Sequence, residues 1–397
     1  MTALLSPALV RIVYASVLLF ASSCGGSVAA LALRPIAAPA QGLFRLNLCS
    51  EAPTPLSTAS GAQQSRGCVV RFTQPLTDSA TIRLVGADRV ERRYLVYAPD
   101  HLGPSPAPVV FVFPGYTASA ESVASTTTRT RFESLADRDG FIVVYGNGLP
   151  LLPPAEKRPT VPHGGFLQGC FLDHAGEGVD VAYVRYILDQ LETELPIDRS
   201  RVFATGLSAG GGMSFQLALE APDVVAAIAP VAGLPFQPNG VWRFHCHPKP
   251  GHARVSIAML AATQDPFISY GPGSSVQYPN AHYPGMEETR DAWLAAMRLH
   301  GPPTIDEFPD RVQGDSYEPQ THMNSSTIER QRYPVGFDGQ ELWYYKARGM
   351  GHWWPNPEQI SSDLWQKFGK TNQDIDFADE AWEFFRRHGK SSKPGSH

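Results

Sequence analysis

A serine enclosed by glycines is the strongest candidate for chemistry in this chain. Residues 206–210 read Gly-Leu-Ser-Ala-Gly and fit the pattern G-x-S-x-G, with two further glycines directly after them. The pattern alone is weak, since chance would produce about 0.2 matches in a chain of this composition and length. An apolar run at residues 201–206 precedes it, and a helical pattern follows as far as Pro222. That context predicts a strand–turn–helix unit that exposes Ser208 as a nucleophile; the alternative is a glycine-rich turn with a structural serine.

A serine hydroxyl attacks only when a base takes its proton, and turns of this type are followed along the chain by an acid and then a histidine. Among 12 histidines, His352 stands out in "ARGMGHWWP", just past an apolar run at residues 342–347. Gly349 and Gly351 are expected to free the loop that brings its ring over Ser208. The alternative is a packing or surface histidine.

The acid is expected after the preceding buried strand. Asp265 follows "VSIAMLAATQ", and a carboxylate there can bond the far nitrogen of His352 and fix its tautomer. The alternative is a turn-forming Asp-Pro. Asp306 and Asp310 are weaker rivals, because no strand is predicted to lead into them.

The same reaction needs donors for the oxyanion that develops at the carbonyl. The backbone N–H of Ala209, next to the nucleophile, is one candidate. The second is the backbone N–H of Tyr116, in the loop that follows the apolar run at residues 108–113. Trp353 and Trp354 beside His352 are candidates for a substrate wall, although one of the two is expected to seal the core instead.

The elements that must position these residues alternate along the chain. Asp180 is predicted to cap a helix with an apolar stripe, a second helix follows Ser208, and a third covers residues 377–388. Strands that alternate with helices predict an α/β fold with a mostly parallel sheet and helices on both faces. The predicted strands are the alternating patterns 80–85 and 92–99 and the apolar runs 108–113, 141–146, 201–206, 226–233, 255–261 and 342–347.

The first residues carry an export pattern rather than part of the fold. Arg11 precedes an apolar run of ten residues at 12–21, which suits a signal-peptide core and is too short for a membrane span. Cys24 after small residues is typical of a lipoprotein signal; ordinary cleavage after residue 32 is the alternative. We expect a signal peptide at 1–32, a tether or loosely packed arm at 33–79, a catalytic domain at 80–390 and a disordered tail at 391–397.

Composition excludes some partners. The 397 residues are 43% apolar and 18% charged, with a net charge of −5. Such a chain can bury a sizeable core, and nothing in its charge favours nucleic acid. We expect a monomer without a cofactor.

Export makes disulfides possible for the four cysteines beyond Cys24. A Cys49–Cys68 bridge would staple the N-terminal arm. A Cys170–Cys246 bridge would join two loops at the carboxyl edge of the sheet; two unrelated buried thiols are the alternative. A metal cluster is a competing interpretation of the last cysteine and its neighbours, namely His245, Cys246, His247 and His252.

Several stretches together resemble secreted esterases of the polyhydroxybutyrate depolymerase and feruloyl esterase group. They are "RRYLVYAP", "PVVFVFPGY", "VVYGNG", "PIDRSRVFATGLSAGGGM", "AAIAPVAG", "AATQDPFISY" and "GMGHWWP", in the family's order over about residues 80–390. The resemblance implies an α/β-hydrolase fold and a triad of Ser208, Asp265 and His352. It implies an ester substrate, which could be a small ester, a polyester or an esterified polysaccharide.

The chain departs from that group at two places. Pro114-Gly115 stands where the family usually has His-Gly, which changes the hydrogen bonding of the oxyanion loop. Residues 270–332 are longer than usual and rich in Pro, Tyr and His. The competing functions are a serine peptidase of the same fold and a non-catalytic surface-binding protein on the same scaffold.

Overall fold

The computed structural model describes part of the chain, all of it within the unit Leu46–His397. The described residues are 49, 66–76, 85, 87–151, 161–165, 178–235, 248, 251, 253–273, 275–276, 284–312, 326–336, 339–357 and 367–389. Among them, no helix combines the length and the apolar character needed to cross a membrane.

Strands dominate the centre of this unit. Within the described residues ten of them form one sheet, in the order β1-β2-β4-β3-β7-β8-β9-β12-β11-β10, and β5 and β6 form a separate hairpin. The six strands from β4 to β12 in that order are mutually parallel, and the outer strands pair antiparallel. The strands are β1 (Arg66–Pro75), β2 (Arg89–Ala98), β3 (Ala107–Phe113), β4 (Ile142–Gly146), β5 (Leu149–Leu151), β6 (Val161–Gly165), β7 (Ile197–Leu207), β8 (Ala227–Val231), β9 (Ser256–Ala262), β10 (Thr304–Glu307), β11 (Thr327–Arg332) and β12 (Leu342–Arg348).

Helices cover both faces of the sheet. One face carries α3, α4 and α5, and the other carries α1, α2 and α6, as two separate apolar clusters show. The helices are α1 (Ala120–Ser122), which continues into a π-helical turn at Val123–Thr127, α2 (Arg131–Asp139), α3 (Val179–Glu192), α4 (Ala209–Glu220), α5 (Gly285–Met297) and α6 (Phe377–Phe385).

The alternation of side chains along the strands explains why the core consists of two apolar clusters. In β3, Val109, Phe111 and Phe113 lie in the first cluster, whereas Val110 and Val112 lie in the second, because successive side chains of a strand point to opposite faces. Every residue of β3 is buried, as expected for a central strand covered on both sides. The predicted α/β architecture with a mostly parallel sheet is therefore confirmed.

The N-terminal arm differs from the prediction over part of its length. Residues 66–75, expected to be loosely packed, form β1 and pair antiparallel with all of β2. Cys68 and Val70 on this strand are buried. The composition of this segment did not predict the strand, because its stability comes from pairing with residues 14 to 32 positions later in the chain.

Two aspartates have other roles than predicted. Asp180 does not cap a helix: Gly178 holds that position, and the Asp180 carboxylate forms a fully buried ion pair with Arg92 at 2.6 Å. Asp306 lies within β10, so a strand does lead into this rival acid, but its carboxylate bonds Arg330 and Arg332 on β11.

Other predictions lie outside the described residues. They are the signal peptide 1–32, Cys24, Cys170, Cys246, the cluster His245, His247 and His252, the strand at 80–84 and the tail 391–397. The Cys49–Cys68 bridge is present, as predicted.

Candidate active site

The backbone at Ser208 is the strained turn that the glycine pattern predicts. Ser208 lies between the end of β7 and the first residue of α4, with φ 59° and ψ −117°, a combination that a residue with a side chain rarely adopts. Its N–H donates to Val231 O at 2.9 Å, so the neighbouring strand β8 holds the turn. The side chain is half-buried.

Close approach, rather than flexibility, explains the glycines on either side of this serine. A Cβ on Gly210 would lie 2.1 Å from Phe113 O, and one on Gly206 would lie 2.5 Å from the same oxygen. Both distances are far below van der Waals contact, so no larger residue fits while β3, β7 and α4 keep their places. Glycine at both positions is therefore required for β3, β7 and α4 to pack this closely.

Asp265 and His352 are hydrogen-bonded to each other. The His352 Nδ1 lies 2.7 Å from Asp265 Oδ2, and their side chains are 7% and 1% exposed. The other carboxylate oxygen, Oδ1, accepts from the backbone N–H groups of Phe267 at 2.8 Å and Ile268 at 2.9 Å. Because a carboxylate only accepts, the imidazole must carry a proton on Nδ1, which leaves Nε2 as the lone-pair nitrogen.

A second segment holds the histidine loop, and sequence reasoning missed it. Gly351 N–H donates to Lys370 O at 2.8 Å and His352 N–H donates to Phe368 O at 2.6 Å. A Cβ on Gly351 would lie 2.2 Å from Phe368 O. Gly351 therefore allows the two segments to pack closely; it is not there to make the loop flexible, as the sequence suggested. The sequence signal for this segment is the glycine at position 369. Its backbone has φ +77°, a conformation that favours glycine.

The loop after β3 approaches the serine. A Cβ on Gly115 would lie 3.5 Å from Ser208 Cβ, and the loop closes through Ala118 N–H donating to Gly115 O at 3.1 Å. Thr117 has φ 67°, which completes a tight turn beside the nucleophile. The Tyr116 side chain is 52% exposed.

The two tryptophans separate into different environments. Trp354 is fully buried and packs against Phe132 and Phe377, with ring centroids 6.1 and 5.4 Å away, so it is a core residue and not a substrate contact. Trp353 is half-buried against Phe368. Phe267, which sequence reasoning did not single out, lies with its ring centroid 5.0 Å from that of His352.

Parallel strands bring the three side chains to one edge of the sheet. Ser208 directly follows β7, Asp265 follows β9 by three residues and His352 follows β12 by four, and the carboxyl ends of parallel strands share an edge. A cleft of about 810 Å³ lies elsewhere: its lining includes Pro108, near the amino end of β3, and Arg201, which lies beside it on β7.

Comparison with known proteins finds similarity to esterases. The chain matches no protein-family model. It is 25% identical to feruloyl esterase D of Neurospora crassa over 70% of this chain and 93% of that protein. It is 33% identical to feruloyl esterase B of Thermothelomyces thermophilus over 36% of this chain and 44% of that protein.

Two further matches are a depolymerase and the structure of an acetyl xylan esterase. The chain is 29% identical to poly(3-hydroxyalkanoate) depolymerase C of Paucimonas lemoignei over 34% of this chain and 30% of that protein. An acetyl xylan esterase structure from Aspergillus awamori covers 71% of this chain, and the match covers 94% of that one, with 18% identity and a TM-score of 0.44.

Sheet order, the strained serine turn and the sequence relatives together define an α/β-hydrolase fold and a carboxylic ester hydrolase. Within that class, the chain is similar in sequence to feruloyl esterases and to a poly(3-hydroxyalkanoate) depolymerase.

Proposed function

We propose that this protein is an exported serine esterase that hydrolyses carboxylic esters through Ser208, His352 and Asp265. One observation carries the proposal: a buried Asp–His pair at 2.7 Å lies at the same sheet edge as a serine in a strained turn. A structural serine has no need of this backbone conformation, and a surface histidine has no need of a 1% exposed carboxylate.

The arrangement supports a two-step reaction. Ser208 Oγ attacks the ester carbonyl carbon as His352 Nε2 takes its proton, and the alcohol leaves with that proton while an acyl-enzyme forms. Water then attacks the acyl-enzyme, gives a proton to the same nitrogen, and the acid is released as Ser208 regains its hydrogen. Asp265 stabilises the imidazolium in both steps.

The tetrahedral intermediates carry a negative oxygen that needs donors. We assign the backbone N–H groups of Ala209, at the start of α4, and of Tyr116, in the turn beside Ser208. Gly115 supports the second assignment, because its backbone already lies against the serine. Removal of one such donor in other hydrolases costs about 10²–10³ in kcat.

The relatives and the side chains near the pair support a proposal for the substrate class. We propose an ester of an aromatic or hydroxy acid, carried by a polysaccharide or a polyester, in line with relatives named feruloyl esterase and poly(3-hydroxyalkanoate) depolymerase. The aromatic groups Tyr116, Phe267 and Trp353 are at least partly exposed, and we assign binding of the acyl part to them. A hydrolysis panel of p-nitrophenyl acetate, methyl ferulate, acetylated xylan and polyhydroxybutyrate ranks these possibilities.

Export is the remaining part of the proposal. It rests on the apolar run at residues 12–21 and on the Cys49–Cys68 disulfide, since such bonds persist in oxidising compartments. If Cys24 carries lipid, Cys24→Ser converts a membrane-associated protein into a soluble one. A wild type that is wholly soluble, with its mature N-terminus near Leu33, rejects the lipid anchor.

A fluorophosphonate probe tests the catalytic assignment. We expect the probe to label the wild type at Ser208 and to leave Ser208→Ala unlabelled. The variant should lose about 10⁴-fold or more in kcat on p-nitrophenyl acetate while it stays folded. Retention of a tenth of the activity would exclude this nucleophile, and an unlabelled wild type would favour a binding protein on the same scaffold.

A further inference from the structure

A buried asparagine holds the far end of the loop that approaches Ser208. We call residues 114–119, between β3 and α1, the oxyanion loop. Ala120 begins α1, so its N–H has no acceptor within the helix. Asn147 Oδ1 accepts that N–H at 2.7 Å. Asn147 itself lies just past β4 and is 2% exposed.

The asparagine is held in turn by a buried cation. Arg92 Nη2 donates to the Asn147 backbone carbonyl at 2.7 Å, and Arg92 Nη1 donates to Asp180 Oδ1 at 2.6 Å. The guanidinium also stacks on the Tyr183 ring, 3.6 Å from its centroid. Both charged side chains of this ion pair are 0% exposed. A buried ion pair with an aromatic ring against it therefore stands behind the asparagine.

The two ends of the oxyanion loop depend on different supports. Its start continues β3 and lies against the serine turn at Gly115. Its end has the capping box of Ser119 and Ser122, which shapes the helix but bonds only to the helix itself. The Asn147 bond to Ala120 ties this end to the sheet.

We propose that Asn147 is a positioning residue for ester hydrolysis: it fixes the oxyanion loop so that the Tyr116 N–H stays where the oxyanion forms. The inference rests on the proposed function. A donor displaced by about 1 Å loses on the order of a hundredfold in rate, and the ground-state ester depends less on it than the transition state does.

The test compares two replacements of nearly equal size. Asn147→Leu removes the acceptor, and we expect kcat on p-nitrophenyl acetate to fall by about 10- to 100-fold with KM within about twofold. Asn147→Asp keeps an oxygen for Ala120 N–H, with Arg92 bonded to the same residue, and should recover kcat to within about threefold of wild type. The pH profile of Asn147→Leu should keep its shape, because the Asp265–His352 pair is intact.

A second variant removes the same bond from the other side. Ala120→Pro deletes the donor, and proline is accepted at the first position of a helix. Ser119 before it has ψ 165°, which suits the residue preceding a proline. We expect the same loss of kcat, and this variant decides the matter if Asn147→Leu does not fold.

The matched control is Tyr97→Phe, on the same strand as Arg92. It removes the hydrogen bond from Tyr97 Oη to Asp137 Oδ2 at 2.8 Å, and the Tyr97 side chain lies in the other apolar cluster from Tyr183. We expect a similar stability loss and wild-type kcat, which separates positioning from mere destabilisation.

Each outcome has one meaning. Wild-type kcat in folded Asn147→Leu and Ala120→Pro, or a loss confined to KM, overturns the positioning role but leaves the proposed function if Ser208→Ala is inactive. Equal loss in Tyr97→Phe also overturns it. An active Ser208→Ala overturns both proposals.

Discussion

Replacement of Asp265 by asparagine should disable catalysis without unfolding the protein, and the structure gives the reason. Asp265 Oδ1 accepts two backbone N–H groups, from Phe267 and Ile268, and Oδ2 faces His352 Nδ1. An asparagine has a single oxygen. The two backbone donors hold that oxygen at the Oδ1 position, so the amide NH₂ must face the histidine.

The consequence is the wrong tautomer. An amide nitrogen in the Oδ2 position, 2.7 Å from Nδ1, can only donate, so Nδ1 becomes the acceptor and the ring proton moves to Nε2. That nitrogen then has no lone pair for the serine proton. In hydrolases with this triad, the same change costs about 10⁴ in kcat, or about 5 kcal/mol of transition-state stabilisation.

The assay is kcat and KM on p-nitrophenyl acetate, together with urea unfolding and ¹⁵N shifts of the histidine ring. Asp265→Asn should lose about 10³–10⁴-fold in kcat, with a free energy of unfolding lower by about 1–3 kcal/mol. The matched control is Asp306→Asn, the same chemical change at the rival acid, which bonds Arg330 and Arg332 away from the site. It should keep wild-type kcat.

Two results would refute the reasoning. Asp265→Asn with more than a tenth of wild-type kcat would show that this carboxylate does not set the tautomer. A ring that keeps its proton on Nδ1 in the variant would show that the amide has flipped, against the constraint of the two backbone donors.

Three further predictions concern stability and the histidine loop. Gly351→Ala should lower kcat by about 10²-fold, because a Cβ there lies 2.2 Å from Phe368 O and displaces His352, whereas Gly103→Ala, with no atom within 4 Å, should be silent; equal kcat in both variants contradicts this. Burial raises the pKa of Glu133 from 4.5 to about 7. The folded state therefore holds a proton that the unfolded state releases near 4.5, and stability should fall by up to about 3 kcal/mol as pH rises from 4.5 through 7. Glu133→Gln should remove that slope in urea unfolding at pH 5 and pH 8, and an unchanged slope rejects the assignment. The double variant Cys49→Ser, Cys68→Ser opens a bridge that closes 19 residues and should lose about 3 kcal/mol of stability with kcat retained at low temperature; an unchanged melting temperature contradicts it.

The local sequence pattern was sufficient to predict most of the strands of the sheet. The buried runs became β3, β4, β7, β8, β9 and β12, because continuous apolar stretches of strand length suit strands covered on both faces. It failed at β1, whose residues reach the sheet through pairing with β2. It also failed at Asp180, where an early-helix aspartate suggested a cap and the fold placed Arg92, 88 residues earlier, against it.

The candidate residues Ser208, Asp265 and His352 could be named from the sequence because each follows a recognisable strand, and the order of strands along the chain limits where a nucleophile, an acid and a base can stand. What brings Asp265 and His352 together is the parallel pairing of β9 with β12. The carboxylate and the ring are 87 residues apart in the chain, and no local pattern encodes their 2.7 Å contact.

Tertiary structure alone decided the surroundings of that pair. It buried Trp354 and left Trp353 half-buried, although the two are adjacent and identical in type. It set Asn147 against Ala120, 27 residues apart, and the Phe368–Lys370 segment against Gly351. The physical reason is the same in each case: hydrophobic periodicity determines which face of an element is buried, whereas a hydrogen bond of 3 Å depends on sheet order, register and loop path, which are set only when the whole core packs.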